Sequence, residues 1–167
     1  AKVEHDDRIM SIAFSPDGRR FATASKNVVK ISDAYTGKEL IILDPGEWGK
    51  APFMAWLYSL SYSPDGSKIA VGNYWNNTAR VWDAYNGKCL AILEHDYSIN
   101  SLAFSPDGSR LATASVPNVI IWDASSGKEL TRTEHEGNVV SIAFSSDGKT
   151  IATASWDKTA RIWDAYT

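Results

Sequence analysis

Apolar positions in this chain come in short runs, each closed by a turn signal. No segment sustains a 3.6-residue apolar rhythm, so helix is not expected. The last part of the chain shows the pattern best. Val139–Ser145 is apolar and rich in β-formers, Thr150–Ser155 alternates, and Thr159–Trp163 alternates again. Asp147-Gly148 and Trp156-Asp157-Lys158 separate these runs. Asp-Gly between alternating runs predicts a hairpin, because glycine takes φ > 0 without a steric penalty. Further strands are predicted at Lys88–Leu93 and Lys128–Thr133. Within single strands, small residues alternate with large ones: Ser11 and Ala13 with Ile12 and Phe14, Ser141 and Ala143 with Ile142 and Phe144. A strand with small residues on one face and large ones on the other fits sheets stacked face to face, with both faces buried.

The runs belong to a repeat. Ser-Pro-Asp-Gly stands at Ser15–Gly18, Ser63–Gly66 and Ser105–Gly108, and Ser-Ser-Asp-Gly at Ser145–Gly148. The aspartates Asp17, Asp65, Asp107 and Asp147 are 48, 42 and 40 residues apart. Trp-Asp-Ala begins at Trp82, Trp122 and Trp163, with Ser32-Asp33-Ala34 in the first copy. Glu-His precedes three copies, at Glu4-His5, Glu94-His95 and Glu134-His135. One unit of about 40 residues and four strands therefore occurs four times, a period typical of stacked repeat architectures.

These residues resemble the WD-repeat β-propeller family, and the resemblance runs over the whole chain. It implies an all-β fold: one four-stranded antiparallel blade per unit, at approximately 6–43, 44–93, 94–133 and 134–167. Residues 1–5 would be the outer-strand end of a preceding blade. The resemblance also implies partner binding rather than catalysis. Family blades hold a hydrogen-bonded group of His, Ser/Thr, Asp and Trp. The fourth blade supplies all four as His135, Thr153, Asp157 and Trp163. The third has His95, Thr113 and Trp122 but no aspartate, in a turn one residue shorter. The first has His5 and Thr23 with Ser32 in the tryptophan position, and the second has Trp82 without an aligned histidine.

Composition narrows the function. Of 167 residues, 17 are Lys or Arg and 20 Asp or Glu, a net charge of −3 that argues against general nucleic-acid or anionic-membrane binding. The mostly apolar run Ala51–Tyr62 is too short to span a bilayer, and no signal segment opens the sequence, so a cytoplasmic location is expected. The single cysteine, Cys89, excludes an internal disulfide and a cysteine-based zinc site. The three histidines recur at one position of the unit, which is the mark of a scaffold and not of converging metal ligands. The Asp-Gly aspartates, again one per blade, read as turn formers. No metalloprotease, nucleophile-elbow or phosphate-loop motif is present, so neither enzyme activity nor a cofactor is expected.

One region departs from the repeat. Asp44 to Leu60 is 16 steps where Glu94 to Leu102 is eight, so the second blade carries an insert with Trp48, Phe53 and Trp56. The turn after that blade's second strand is aromatic too, with Tyr74 and Trp75. Trp156 occupies the matching turn of the fourth blade, and Tyr97 opens the third. Both kinds of connection leave one face of a propeller, where Trp and Tyr suit a binding hot spot for a protein or peptide. The alternative is that the insert folds back over the scaffold, and both readings stay open at this point. Tyr35, Tyr85 and Tyr166 follow the Trp-Asp turns on the opposite face and read as structural.

Four such blades make about half of a seven- or eight-bladed ring and would leave two apolar faces bare. The expectation is a homodimer closing an eight-bladed ring, with Lys2, Val3 and Glu4 completing the fourth blade of the other copy along Ala160–Trp163. The rivals are a self-closed four-bladed monomer and a purely architectural repeat cassette whose only partner is its own copy.

Overall fold

The computed structural model describes residues 1–26, 28–43 and 57–167. Alternating runs and tight turns give four sheets, each a simple antiparallel meander. The first holds β1 (Ile9–Phe14), β2 (Arg20–Ser25), β3 (Val29–Asp33) and β4 (Glu39–Leu43). The second holds β5 (Leu57–Tyr62), β6 (Lys68–Asn73), β7 (Thr78–Asp83) and β8 (Cys89–Glu94). The third holds β9 (Ser101–Phe104), β10 (Arg110–Ala114), β11 (Asn118–Asp123) and β12 (Glu129–Glu134). The fourth has three strands, β13 (Val139–Phe144), β14 (Thr150–Ser155) and β15 (Ala160–Asp164). No helix occurs among the described residues, and so none there could cross a membrane.

The repeated turns explain the meander. In the first sheet the Ser15 hydroxyl donates to the Asp17 carboxylate at 2.6 Å and accepts the Arg20 amide at 2.9 Å, while Asp17 also accepts the Arg19 amide. Gly18 supplies the φ of 68° that closes the turn. Ser63, Ser105 and Ser145 repeat the arrangement with Asp65, Asp107 and Asp147. The outer strands begin one residue later than their alternation suggests. The carbonyls of Lys88 and Lys128 instead close the preceding turns, accepting from the Asp83 and Asp123 amides at 2.9 and 2.8 Å.

The core lies between the sheets. Three apolar clusters each join two consecutive blades. In the first, Ala22, Ile31 and Leu43 of one blade meet Leu60, Tyr62, Ile69 and Trp82 of the next. Ala70, Val81 and Leu93 meet Leu102, Phe104 and Trp122, and Ala112 and Ile121 meet Ile142 and Ile151. Inner strands β1, β5, β9 and β13 touch in that order, so the blades fan around a common axis.

Burial of both faces, as read from the alternation, holds at these three junctions and fails at the two ends. Ile12 on β1 is 59% exposed, whereas its counterpart Leu102 on β9 is 6% exposed. Ile162 on β15 is 70% exposed, against 2% for its counterpart Ile121. The reason is stacking: a face is covered only by a neighbouring blade, and these two have none among the described residues. The first and fourth blades therefore do not close on each other.

Candidate functional site

Two families of connections share one rim of the blades. Those from β6 to β7, β10 to β11 and β14 to β15 lie beside those that link the second blade to the third and the third to the fourth. Backbone bonds tie them together: His95 N to Asn77 O at 2.9 Å, His135 N to Pro117 O at 3.0 Å, and Trp156 N to Asn138 O at 2.9 Å. On this rim Trp75 is 55% exposed, Tyr97 54% and Trp156 73%. Tyr74 is half-buried and packs edge-on against Trp75, with ring centres 5.6 Å apart. Asn73 holds that turn in shape, its side-chain oxygen accepting the amides of Trp75 and Asn76. Trp48, Phe53 and Trp56 lie outside the described residues.

Beneath the rim, the fourth blade assembles its polar group. The His135 Nδ1 lies 2.8 Å from the Asp157 carboxylate and Nε2 lies 2.7 Å from the Thr153 hydroxyl, which accepts the Trp163 indole N–H at 2.9 Å. A carboxylate only accepts, so the histidine proton sits on Nδ1 and the threonine hydroxyl donates to Nε2. The Thr159 hydroxyl, the histidine and nearby amides hold the Asp157 carboxyl well below the usual carboxylate range. Its contribution to stability is complete above the ordinary value of 3.8 and is lost only as pH falls below it.

The other blades keep parts of this group. His5 Nε2 lies 2.7 Å from the Thr23 hydroxyl. Trp122 donates to Thr113 at 2.7 Å, yet both ring nitrogens of His95 are buried with no hydrogen-bond partner. Val116 and Pro117 occupy the turn that would carry the aspartate. His95 packs edge-on against Trp122 at 5.3 Å between ring centres, and burial pushes its pKa down to about 4.

A ranking follows. Asp157→Ala is expected to lower the urea midpoint more than Asp65→Ala or Asp107→Ala. Asp157 accepts hydrogen bonds from a fully covered histidine and from the Thr159 amide and hydroxyl. Asp65 and Asp107 each accept from a buried serine, Ser63 or Ser105, whose hydroxyl also reaches the Lys68 or Arg110 carbonyl, and from a more exposed one, Ser67 or Ser109, that can turn to water. Equal shifts in the three melts would rule out a special role for the Asp157 group.

The opposite rim carries contacts that sequence reasoning missed. Arg20 lies over the Tyr85 ring at 4.2 Å and donates to Ala84 O at 2.8 Å. Arg110 lies over Tyr166 at 4.1 Å and donates to Ala165 O and Gly148 O, both at 2.8 Å. Each guanidinium clamps its blade to the next through a carbonyl and a ring, which is a use that Arg serves better than Lys. The available signal was an arginine two positions after the Asp-Gly of the first and third copies, where the second and fourth have Lys68 and Thr150. Among the described residues no group of three His, Cys, Asp or Glu side chains could hold a metal.

A family model described as "WD domain, G-beta repeat" matches residues 2–33, 53–83, 87–123 and 127–164. WD repeat-containing protein 1 of Gallus gallus is 38% identical over 81 residues, 48% of this chain and 12% of that protein. The guanine nucleotide-binding protein subunit beta of Arabidopsis thaliana is 32% identical over 86 residues, 50% of this chain and 22% of that protein. The matches thus span only a small part of those relatives' lengths. Four matched repeats, laid out as four sheets of one pattern, show that the chain belongs to the WD-repeat family.

Proposed function

We propose that this chain is a non-catalytic WD-repeat scaffold of the cytoplasm that binds a protein or peptide on its aromatic rim, and that two copies close an eight-bladed ring. WD repeats as a family mediate protein interactions as scaffolds. The observation that carries the binding reading is the exposure of Trp75, Tyr97 and Trp156 together on one rim. Large rings with few rotors lose little entropy on contact and bury much area, so such a cluster suits a recognition surface. The ring reading is supported by the bare faces around Ile12 and Phe14 at one end and Ile162 at the other. Each is an apolar surface of the kind that the chain buries at its own three junctions.

The test of the rim uses peptides selected from a random display library on the immobilised protein. Binding is expected to weaken at least tenfold in the Trp75→Ala and Trp156→Ala variants, with thermal melts little changed. Tyr35→Ala, on the opposite rim, is expected to leave it intact. Selected peptides insensitive to both tryptophans, or a large stability loss in those variants, would overturn the reading and favour a purely architectural role.

A further inference from the structure

We infer that Asn86 is a site of spontaneous deamidation, and that its isoaspartate product loosens the junction between the first two blades.

The turn from β7 to β8 carries Asn86-Gly87, where the first and third copies carry Thr36-Gly37 and Ser126-Gly127. In all three the side chain before the glycine does one structural task, accepting the amide two residues on. Thr36 Oγ1 accepts from Lys38 at 3.2 Å, Ser126 Oγ from Lys128 at 3.3 Å and Asn86 Oδ1 from Lys88 at 2.8 Å. A hydroxyl does this without offering a carbon that a nucleophile can attack. The carboxamide sets an electrophilic carbon, Asn86 Cγ, beside the Gly87 nitrogen.

The reaction needs only water and hydroxide. The Gly87 nitrogen gives its proton to hydroxide and attacks Asn86 Cγ. The N–Cγ bond forms, the Cγ–Nδ2 bond breaks, and ammonia leaves with a proton from water. Water then opens the five-membered imide. Cleavage between Cγ and the nitrogen leaves aspartate on an ordinary backbone. Cleavage between the main-chain carbonyl carbon and the nitrogen leaves isoaspartate, whose chain runs through Cβ and Cγ. One water is consumed, one ammonia is released, and nothing is oxidised or reduced.

The structure favours Asn86 over the other asparagines. Gly87 has no side chain to shield its nitrogen or to crowd the imide. Asn86 is exposed, and two bonds to Asp83 hold its turn: Gly87 N to the carbonyl and Asn86 N to the carboxylate, both at 3.0 Å. A short exposed turn of this kind opens at low cost, which frees the nitrogen. Asn73 and Asn118 are buried, and Asn100 and Asn138 are half-buried and bonded to each other at 2.6 Å. Asn27 precedes the branched Val28. Asn76 is exposed, but its Oδ1 takes both the amide and the hydroxyl of Thr78, and the Asn77 side chain that follows is anchored on Asp96 O at 3.1 Å.

The two products differ because Gly87 packs against the first blade. A Cβ placed on Gly87 would lie 3.1 Å from Ile41 Cγ2 and 3.6 Å from Leu43 Cδ2 of β4. Leu43 is 1% exposed in the cluster that seals this junction. Aspartate leaves Gly87 in place, and its carboxylate accepts the Lys88 amide as the carboxamide does. Isoaspartate adds a carbon to the main chain between residues 86 and 87, and a close-packed contact has no slack to absorb it.

The test ages the intact chain at pH 8.5 and 37 °C and maps its peptides by mass spectrometry. A gain of one dalton is expected first in the peptide carrying Asn86, at least tenfold ahead of any other asparagine. Part of that product is expected to be a substrate for an isoaspartyl carboxyl methyltransferase. A first gain at Asn76, Asn77 or elsewhere would overturn the site. So would an Asn86 peptide that stays intact in the folded chain while it reacts in urea. Two variants separate the site from its consequence. Asn86→Asp reproduces the product with an ordinary backbone and is expected to melt within about 1 °C of the fresh chain, whereas the isoaspartate fraction is expected to melt at least about 3 °C lower. Asn86→Thr, with the residue of the first copy, is expected to keep its melting temperature through ageing. An isoaspartate fraction that melts like the fresh chain, or an Asn86→Thr chain that loses stability as fast as the original, would overturn the loosening of the junction.

Discussion

Trp82→Ala is expected to destabilise the chain by about 3–5 kcal/mol, whereas Ser32→Ala, at the equivalent position of the first blade, is expected to be neutral or slightly stabilising. Trp82 is 1% exposed in the cluster that joins the first two blades. Its removal leaves a cavity walled by strands that hydrogen-bond on both sides and cannot collapse into it. Ser32 is fully buried too, but its hydroxyl has no hydrogen-bond partner. Deleting that oxygen removes an unsatisfied polar group and costs almost no apolar contact. Urea unfolding of the two variants gives the comparison directly. A loss for Ser32→Ala approaching that for Trp82→Ala would show that the serine makes a bond essential to the first blade.

The second large effect is a response to acid centred on His95. Burial first, and the nearby Arg132 second, push its pKa to about 4 from an ordinary 6.5, while Glu129 and Asp96 pull weakly the other way. The sign follows from proton counting. Between pH 6.5 and about 4 the unfolded chain binds a proton at this residue and the folded chain does not, so stability falls as pH falls through that window and levels off below it. At about 1.4 kcal/mol per pH unit the loss is on the order of 3 kcal/mol. His5, whose pKa is also lowered mainly by burial, adds in the same direction. His95→Phe keeps the ring against Trp122 and cannot titrate. Its melts at pH 4.5 and pH 7 are expected to lie much closer together than those of the unsubstituted chain. An unchanged pH dependence in that variant would place the response elsewhere.

The two sites show what local chemistry reveals and what it hides. The aspartate missing from the third copy is visible in the sequence because its turn is one residue shorter. That the histidine left behind keeps no partner at all is not visible. The equivalent threonines Thr153 and Thr113 both accept from the tryptophan indole and both reach a carbonyl of the neighbouring strand, yet only Thr153 also bonds its histidine. The exposure of Trp75 and Trp156 follows from their place in turns, whereas the clamps of Arg20 and Arg110 needed the next blade in position. Those contacts join residues 64 and 55 positions apart, beyond the reach of any local pattern.

By itself the sequence determined the four units, the strand identities, the turn chemistry and the rim to which the aromatic connections belong. All of these depend on interactions within a few residues: side-chain alternation, the φ of a turn glycine, and a serine and aspartate two apart. Only the tertiary structure decided which faces are covered. Ile12 and Leu102 read alike in sequence, as do Ile162 and Ile121, and each lies opposite the equivalent residue of the preceding or following strand: Ile12 opposite Thr23 and Leu102 opposite Thr113, Ile162 opposite Ala152 and Ile121 opposite Ala112. Their opposite exposures arise from the neighbouring blade, because the apolar surface of a stacked sheet leaves water only when a second sheet lies against it.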